Sequence, residues 1–220
     1  FFFKQKTAYE MYVTCLGGNV LYKNNGDGTF TDVAKQAGVI DGRWSAGATF
    51  GDYDKDGYLD LFVANYVDFN FADMPKFGSM PTCKFRGLDV QCGPRGLKGS
   101  GDSFFHNNGN GTFTEISKQF GMDDPQGFYG MQPISSDFGD TGSLDIYVAN
   151  DSTPNFFYRN DGKGKFSEEG LVSGTAVSGD GSEQGSMGVA VGDYLHTGKF
   201  AIYVTNFMDE YNTLYRNNGN

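Results

Sequence analysis

The stretch that decides the fold lies at residues 45–65 and reads SAGATFGDYDKDGYLDLFVAN. Its pattern returns as MQPISSDFGDTGSLDIYVAN at residues 131–150 and as MGVAVGDYLHTGKFAIYVTN at residues 187–206. In each copy an acidic turn precedes a segment of alternating apolar residues, which is typical of a β-strand with one buried face. The alternating residues are Leu59, Leu61 and Val63 in the first copy, Leu144, Ile146 and Val148 in the second, and Phe200, Ile202 and Val204 in the third.

A second pattern lies between these copies and occurs four times. It reads YVTCLGGNVLYKNNGDGTF from Tyr12, SFFHNNGNGTF from Ser103, YVANDSTPNFFYRNDGKGKF from Tyr147 and YVTNFMDEYNTLYRNNGN from Tyr203. Asn-Gly and Asp-Gly pairs between aromatic-rich segments are the strongest local sign of a β-hairpin. The turn glycines Gly109, Gly162 and Gly219 are 53 and 57 residues apart. The repeating unit is therefore about 55 residues long.

The composition favours short strands and tight turns over helices. The 220 residues include 33 Gly, 21 Phe and 13 Tyr, and Asp outnumbers Glu by 21 to 6. Asp, Asn and Gly favour turns and caps over helix interiors. Four-stranded antiparallel units repeated around an axis are the blades of a β-propeller. We therefore expect an all-β chain with about three to four blades of four strands each, an open arc of a larger ring, with a linear β-solenoid as the alternative.

The acidic turn of the first copy has the pattern of a Ca²⁺ site. Asp52, Asp54, Asp56 and Asp60 occupy positions 1, 3, 5 and 9, and a glycine occupies position 6. Four carboxylates in nine residues repel one another unless a cation gathers them, and the alternate spacing lets them point inward. The carbonyl of Tyr58 is a further expected ligand. Hard oxygen ligands in a flexible loop favour Ca²⁺ over Mg²⁺ or a thiophilic metal; a solvated acidic turn is the alternative.

The other two copies of the turn are weaker. The second keeps Asp137 and Asp145 at positions 1 and 9 but has Gly and Thr at positions 3 and 5, so Ca²⁺ would bind there less tightly. The third keeps only Asp193 and is interpreted as a turn without an ion. An EF-hand is excluded because position 12 of the first loop is Val63 instead of a bidentate Glu. Such loss of carboxylate ligands from one copy to the next is expected when the ion has a structural role.

These motifs give the chain a family likeness over residues 12–220. The segment GDYDKDGYLDLFVAN resembles the calcium-binding FG-GAP, or VCBS, repeat of integrin-α-like β-propellers. The combination of YVANDSTPNFFYRN, CKFRGLDVQCGPRGL and GSMGVAVGDY resembles more narrowly the bacterial relatives of cartilage acidic protein, which carry an ASPIC/UnbV domain after the propeller. The resemblance implies an extracellular, periplasmic or cell-surface propeller that is stabilised by Ca²⁺ and serves in binding or adhesion. It also implies a carboxy-terminal domain beyond this fragment.

An insertion rich in Pro and Gly, at about residues 70–102, interrupts the repeat. A disulfide between Cys83 and Cys92 within it would contribute about 2–3 kcal/mol and would indicate an oxidising compartment; two free thiols are the alternative. Cys15 is expected to pack as a small apolar residue. The insertion concentrates bases that could dock an anionic glycan or an acidic partner, or pair with acids of their own blade. These bases are Lys76, Lys84, Arg86, Arg95 and Lys98.

Charge and hydropathy exclude two classes of protein. The net charge of −10 repels phosphate backbones, so nucleic acid is a poor candidate partner. No run of 18 apolar residues occurs, so no transmembrane helix is expected. Residues 1–10, FFFKQKTAYE, share no periodicity with the rest. This string resembles a poly-T tract and a sequencing-library adapter read in frame, so we interpret it as an artefact and expect the true amino terminus to be missing.

The leading functional hypothesis is a non-enzymatic Ca²⁺-binding propeller module for a protein or glycan ligand. A polysaccharide lyase or glycoside hydrolase on a propeller is one alternative, and a scaffold for the carboxy-terminal domain is another. The common hydrolase motifs are missing from the sequence. His106 and His196 lack the paired spacing of a zinc site and are interpreted as turn residues. The strand aromatics are expected in the core and not as sugar platforms: Phe104, Phe105, Phe156, Phe157 and Tyr158.

Overall fold

The structure is a computed structural model that describes residues 10–70, 72, 82–91, 93–207 and 209–219. These residues form 16 β-strands and three helices of one turn each. The strands make four antiparallel sheets and one separate hairpin. The prediction of an all-β chain is confirmed, and the four sheets follow one another in a partial propeller-like arrangement.

Each sheet takes its strands in chain order. The first sheet contains β1 (Glu10–Val13), β2 (Val20–Asn24) and β3 (Phe30–Asp32). The second contains β4 (Ser45–Gly51), β5 (Asp60–Asn65), β8 (Ser103–Asn107) and β9 (Phe113–Glu115), and its insertion carries the hairpin of β6 (Thr82–Phe85) and β7 (Leu88–Gln91). The third contains β10 (Gly130–Ser136), β11 (Asp145–Asn150), β12 (Phe156–Asn160) and β13 (Phe166–Glu168). The fourth contains β14 (Ser186–Gly192), β15 (Ala201–Asn206) and β16 (Thr213–Tyr215).

The helices are α1 (Ala34–Ala37), α2 (Ser117–Phe120) and α3 (Gly170–Ser173), and each lies just beyond the outermost strand of a sheet. Each helix ends at a glycine in the left-handed region, which is the usual way to stop a helix. The described residues therefore offer no candidate for a membrane-spanning helix.

Consecutive sheets pack face to face through their second strands. In β5, Leu61 and Val63 belong to the core shared with the first sheet, whereas Phe62 and Ala64 belong to the core shared with the third. Every residue of β5 and of β11 is buried. The expectation that only one face of each strand is buried is therefore wrong for these two strands, because a sheet between two others is covered on both faces.

The fourth sheet keeps the expected alternation. Ile202 and Val204 are buried, while Tyr203 between them is 41% exposed. Leu59 and Phe200, which were expected within the strands, lie in the preceding turns and are 54% and 40% exposed. The five strand aromatics from Phe104 to Tyr158 are at most 6% exposed, so their expected place in the core is confirmed.

A recurring hydrogen bond joins the first and the second acidic turn to the sheet that follows. Asn160 Nδ2, at the end of β12, donates to the carbonyl of Tyr53 at 2.8 Å. Asn217 Nδ2, just after β16, donates to the carbonyl of Phe138 at 2.7 Å. Tyr53 and Phe138 hold the same position in the repeat. The third strand of one sheet thus holds the turn of the preceding sheet in place.

The insertion contains secondary structure, namely the β6–β7 hairpin. Lys84 pairs with Asp89 within this hairpin at 2.5 Å. Lys98 pairs with Asp68 at 2.5 Å, and Arg95 pairs with Glu183 at 3.2 Å. These three bases are thus already matched by acids of the chain. Lys76 and Cys92 lie outside the described residues, and so does the predicted disulfide; Cys15 is a half-buried free thiol.

Candidate metal centre

The metal loop, residues 52–60, connects β4 to β5. Lys55 and Gly57 have φ of 64° and 91°, and this left-handed backbone curls the loop back on itself. The backbone N–H of Gly57 donates to Asp52 Oδ2 at 3.1 Å, and that of Asp56 donates to Asp54 Oδ1 at 3.2 Å. Each of these carboxylates therefore uses one oxygen to hold the loop and keeps the other for a further partner.

The four aspartates predicted from the sequence come together. Ligand atoms of Asp52, Asp54 and Asp56 all lie within 4.8 Å of one another. The same holds for Asp54, Asp60 and His106. Asp54 is common to both groups, so the four carboxylates form two adjoining clusters that meet at this residue.

Asp60 is the most deeply buried of these ligands, with 1% of its surface exposed. Its Oδ1 accepts the N–H of Asn107 at 2.9 Å, and its Oδ2 accepts the N–H of Tyr53 at 3.4 Å. Burial raises the pKa of this carboxyl, and the negative charge of Asp54 adds to the rise. Gathering the four carboxylates without a cation is thus costly, which is the electrostatic condition that a bound divalent ion relieves.

One carboxylate oxygen of the loop is an unused acceptor. Asp52 Oδ1 is buried and has no hydrogen-bond partner among the described residues. A buried carboxylate oxygen without a partner carries its full desolvation cost. Together with the other carboxylates it offers an all-oxygen donor set of the kind that Ca²⁺ takes. Tyr58 is half-exposed and its ring packs against Gly109, and its carbonyl as a ligand stays a prediction.

His106 was misplaced by the sequence interpretation. It lies in β8 and not in a turn, and its Nδ1 is 3.0 Å from Asp60 Oδ1 and 3.5 Å from Asp54 Oδ2. The signal was present in the repeats, because the same position holds Lys23, Arg159 and Arg216 in the other copies. A basic residue therefore recurs at this position in every copy. His196 does lie in a turn, after Asp193, as predicted.

In the second acidic turn a guanidinium lies where the first turn gathers its carboxylates. Arg159 Nη1 is 3.5 Å from Asp145 Oδ2, and a side chain at Gly139 would collide with it. Asp137 accepts the backbone N–H groups of Thr141 and Gly142 at 2.9 and 2.6 Å. Among the described residues, neither Asp137 nor Asp145 belongs to a group of three close metal-ligand side chains. Ca²⁺ binding at this turn stays a prediction.

The third turn repeats the hydrogen bonds without the other acids. Asp193 accepts the N–H groups of Thr197 and Gly198 at 2.9 and 2.7 Å. These backbone hydrogen bonds lower the pKa of its carboxyl. An aspartate at position 1 therefore shapes the turn by itself, and only the first turn adds the further carboxylates.

The metal loop is coupled to the interface between the second and third sheets. Tyr53 lies between Asp52 and Asp54 in the chain and is fully buried in the core shared by these sheets. Its hydroxyl is 2.5 Å from Ser135 Oγ of β10. An ion that orders the loop also orders Tyr53, so metal binding and the packing of two sheets depend on one another.

Comparison with known sequences identifies the segment that carries this centre. Residues 9–63 match the family described as the FG-GAP-like repeat. These residues form an FG-GAP-like repeat. It extends from the first sheet through the metal loop into β5 and so contains all four aspartates. The FG-GAP resemblance predicted from the sequence is confirmed.

Two curated relatives of the chain carry the same name. Cartilage acidic protein 1 of Xenopus tropicalis is 32% identical over 77 residues, which cover 31% of this chain and 12% of that protein. Cartilage acidic protein 1 of Homo sapiens is 41% identical over 51 residues, which cover 23% of this chain and 8% of that protein. The chain therefore matches about a tenth of the length of these relatives.

Proposed function

We propose that this chain is a non-catalytic, Ca²⁺-stabilised propeller module that binds a protein or glycan ligand outside the cytoplasm. The observation that carries the proposal is the metal loop, in which four carboxylates form two clusters that share Asp54, and Asp52 Oδ1 is buried without a hydrogen-bond partner among the described residues. The FG-GAP-like repeat supports a binding or adhesion role, because such propellers serve binding in the family that the sequence resembles.

Ca²⁺ would act on stability. It would replace carboxylate repulsion by coordination and hold the metal loop in the curled form that inserts Tyr53 between two sheets. The function is placed outside the cytoplasm because extracellular Ca²⁺ modules bind at about 10⁻⁴ to 10⁻³ M, which suits the free Ca²⁺ found there. The side chains of the metal centre thus stabilise the structure, and the exposed surfaces of the sheets bind the ligand.

Calcium is expected to raise the free energy of unfolding. At one hundred times the dissociation constant, the gain is about 2.7 kcal/mol. The measurement is thermal unfolding of the full chain during a CaCl₂ titration that starts from chelator-treated protein, with calorimetry for the binding constant. Mg²⁺ at the same concentration should stabilise less, because it demands a tighter octahedral geometry and gives up its water reluctantly.

Two variants make this test specific. Asp54→Asn removes the carboxylate that both halves of the centre share, and we expect it to abolish most of the calcium response. Asp140→Asn makes the same chemical change at an exposed residue of the second turn and should leave the response intact. An unfolding curve that is the same with calcium and with chelator in the unmodified chain would refute the calcium part of the proposal.

The non-catalytic part has its own test. A lyase or glycoside hydrolase would release reducing or unsaturated ends from polysaccharides, and we expect none above the buffer level from the full chain with saturating Ca²⁺. Sustained polysaccharide cleavage that is abolished by substituting an active-site carboxylate would overturn the non-catalytic part of the proposal. It would leave the calcium result unaffected.

A further inference from the structure

The sheets form a cavity at the end opposite the metal loop. It has a volume of about 310 Å³ and lies where β4, β10 and β14 come together. The metal loop follows the last residue of β4, whereas the cavity is lined by the beginning of that strand. The cavity and the metal centre therefore lie at opposite ends of the same sheets.

Equivalent positions of three repeats supply part of its wall. Ala46, Met131 and Met187 line the cavity. Each is the second residue of its strand. Each forms a β-bulge, at which the regular pairing with the next strand is interrupted. Bulges redirect a side chain from the sheet face, and here they turn one apolar side chain from each sheet into a shared space. The cavity is thus a product of the repeat and not of one irregular loop.

The remaining part of the cavity wall comes mainly from residues that follow the second strand of each sheet. Tyr66, Asp151 and Phe207 each come directly after a strand that ends in Asn, and all three line the cavity. Trp44 completes this wall, with its ring centroid 5.2 Å from that of Tyr66 in an edge-to-face arrangement. Three aromatic rings and two methionine side chains therefore surround a single charged lining residue.

That charged residue is held rigidly. Asp151 is 8% exposed, its Oδ2 accepts the hydroxyl of Tyr66 at 2.7 Å, and its Oδ1 accepts the hydroxyl of Ser152 at 2.9 Å. A second carboxylate stands beside it, because Glu210 Oε2 accepts the N–H of Gly185 at 2.7 Å and Gly185 is paired with Asp151. The cavity wall itself includes neither Lys nor Arg. Its electrostatic potential is therefore negative.

These features select among ligand classes. An anion is excluded by the carboxylates and by the net charge of −10. A neutral apolar ligand would cover Asp151 and leave a buried charge uncompensated. A sugar needs a hydrogen-bond partner at almost every carbon, and the wall is mostly apolar. A cation with apolar substituents meets aromatic faces, polarisable sulfur and a carboxylate at once.

We propose that this cavity binds an alkylated ammonium group. The proposal rests on the proposed role of the chain as a binding module and names the chemistry of its ligand. Such a group comes either from a small free amine or from a methylated lysine side chain of a protein partner. Both present the same cation to Trp44 and Asp151, and the experiment separates them.

Trp44 is the single tryptophan of the chain, so intrinsic tryptophan fluorescence is a direct probe of this cavity. We expect choline to change the fluorescence of Trp44 saturably, and calorimetry to give the same dissociation constant. The matched probe is 3,3-dimethylbutan-1-ol, which has the shape of choline without the charge and should bind at least about tenfold more weakly. A short peptide with one trimethyllysine is compared with its unmethylated form.

Two variants probe the wall. Asp151→Asn should weaken choline binding at least about tenfold and should strengthen binding of the neutral alcohol, because no charge is then buried. Phe207→Ala removes a ring that is 59% exposed, so the fold tolerates it, and should weaken choline binding several-fold. Asp180→Asn makes the same charge change at an exposed acid outside the cavity and should bind choline as the unmodified chain does.

Each outcome decides something. Stronger binding of the trimethyllysine peptide than of choline assigns the site to a protein partner, and the reverse assigns it to a free amine. The proposal is overturned if neither cation binds, if the neutral alcohol binds equally well, or if Asp180→Asn weakens choline as much as Asp151→Asn. Thermal stabilisation by Ca²⁺ is measured on the same samples, so failure here remains distinct from failure of the calcium proposal.

Discussion

Replacing Tyr53 with alanine should lower the free energy of unfolding by about 3–5 kcal/mol, which is the usual cost of truncating a buried aromatic residue. Tyr53 is fully buried and makes edge-to-face contacts with Phe104 of its own sheet and Phe166 of the next, at centroid distances of 5.5 and 5.8 Å. Its removal leaves a cavity between two sheets that cannot close without moving both. Urea unfolding of the full chain with saturating Ca²⁺ measures the effect.

The repeat provides a matched control for this substitution. Tyr194 holds the same position in the third acidic turn but is 50% exposed. Tyr194→Ala should therefore cost less than about 1 kcal/mol. Tyr53→Phe keeps the ring and removes the hydroxyl, with its contacts to Ser135 and Thr49, so it should cost about 1 kcal/mol. Equal losses at Tyr53 and Tyr194 would contradict the packing that we describe between the second and third sheets.

The Tyr53 substitution also bears on the metal centre. Because Tyr53 separates Asp52 from Asp54, its loss should release the metal loop and weaken Ca²⁺ binding, although no ligand is removed. Calorimetric titration of Tyr53→Ala under conditions where it remains folded measures this. Unchanged affinity would mean that the loop holds its shape without the core.

Replacing Asp41 with alanine should lower the free energy of unfolding by about 3 kcal/mol, because several donors lose their common acceptor in a buried site. Asp41 is 4% exposed and accepts hydrogen bonds from Arg43 Nη2 at 2.7 Å, Asn65 Nδ2 at 3.1 Å and Ser103 Oγ at 2.5 Å. Asn65 and Ser103 belong to the second sheet, whereas Asp41 and Arg43 precede it. The carboxylate thus ties the connection from the first sheet to the strand ends of the second. Arg43 is 38% exposed and retains water after the change, which keeps the expected loss at the lower end for a broken buried pair.

The stability provided by Asp41 should depend on pH in a defined direction. Burial alone would raise the pKa of its carboxyl, but the hydrogen bonds from Arg43 and Ser103 outweigh burial and lower it below the usual 3.8. A carboxyl whose pKa is lower in the folded state stabilises the fold above the unfolded pKa and loses this effect as the pH falls through the folded value. The difference between the unmodified chain and Asp41→Ala should be constant from pH 5 to 8 and should shrink below about pH 4.

Taking the difference between the two proteins isolates this residue. Asp102 faces the same network, and burial raises its pKa well above the usual value, so it contributes a dependence of opposite sign to both proteins. The charge of Asp41 adds to this rise, so the difference also contains the smaller change at Asp102. Asp27→Ala, at an exposed turn acid, should leave stability nearly unchanged and serves as the control. If Asp41→Ala lowers the free energy of unfolding by the same amount down to pH 3, the charge of the Asp41 carboxylate does not contribute to stability.

The metal loop is the part of the protein that the sequence predicted most completely. Carboxylates at alternate positions with a glycine at position 6 are a local pattern, and a local pattern sets the local backbone. The aspartates accordingly lie in two adjoining clusters that share Asp54, and their binding of one ion stays a prediction. The repeat predicted the order of the strands for the same reason, since each hairpin is closed by its own turn residues.

His106 shows where such prediction ended. It is 46 residues from Asp60 in the chain, and the insertion lies between them, so no local spacing connects the two. Pairing of β5 with β8 brings them within 3.0 Å. In the second turn the equivalent pairing brings Arg159 to Asp145, which no reading of that turn alone predicts.

By itself the amino-acid sequence determined the β-strands, the acidic turns, the donor set of the candidate metal site and the number of repeats, because turn chemistry and period-two hydropathy act over a few residues. Only the tertiary structure decided that β5 is buried on both faces, that Tyr53 links the metal loop to the next sheet, and that bulged residues of three sheets enclose a cavity around Asp151. The physical reason is that burial, cavities and charge pairing depend on which surfaces meet. In a repeat protein those surfaces belong to units about 55 residues apart.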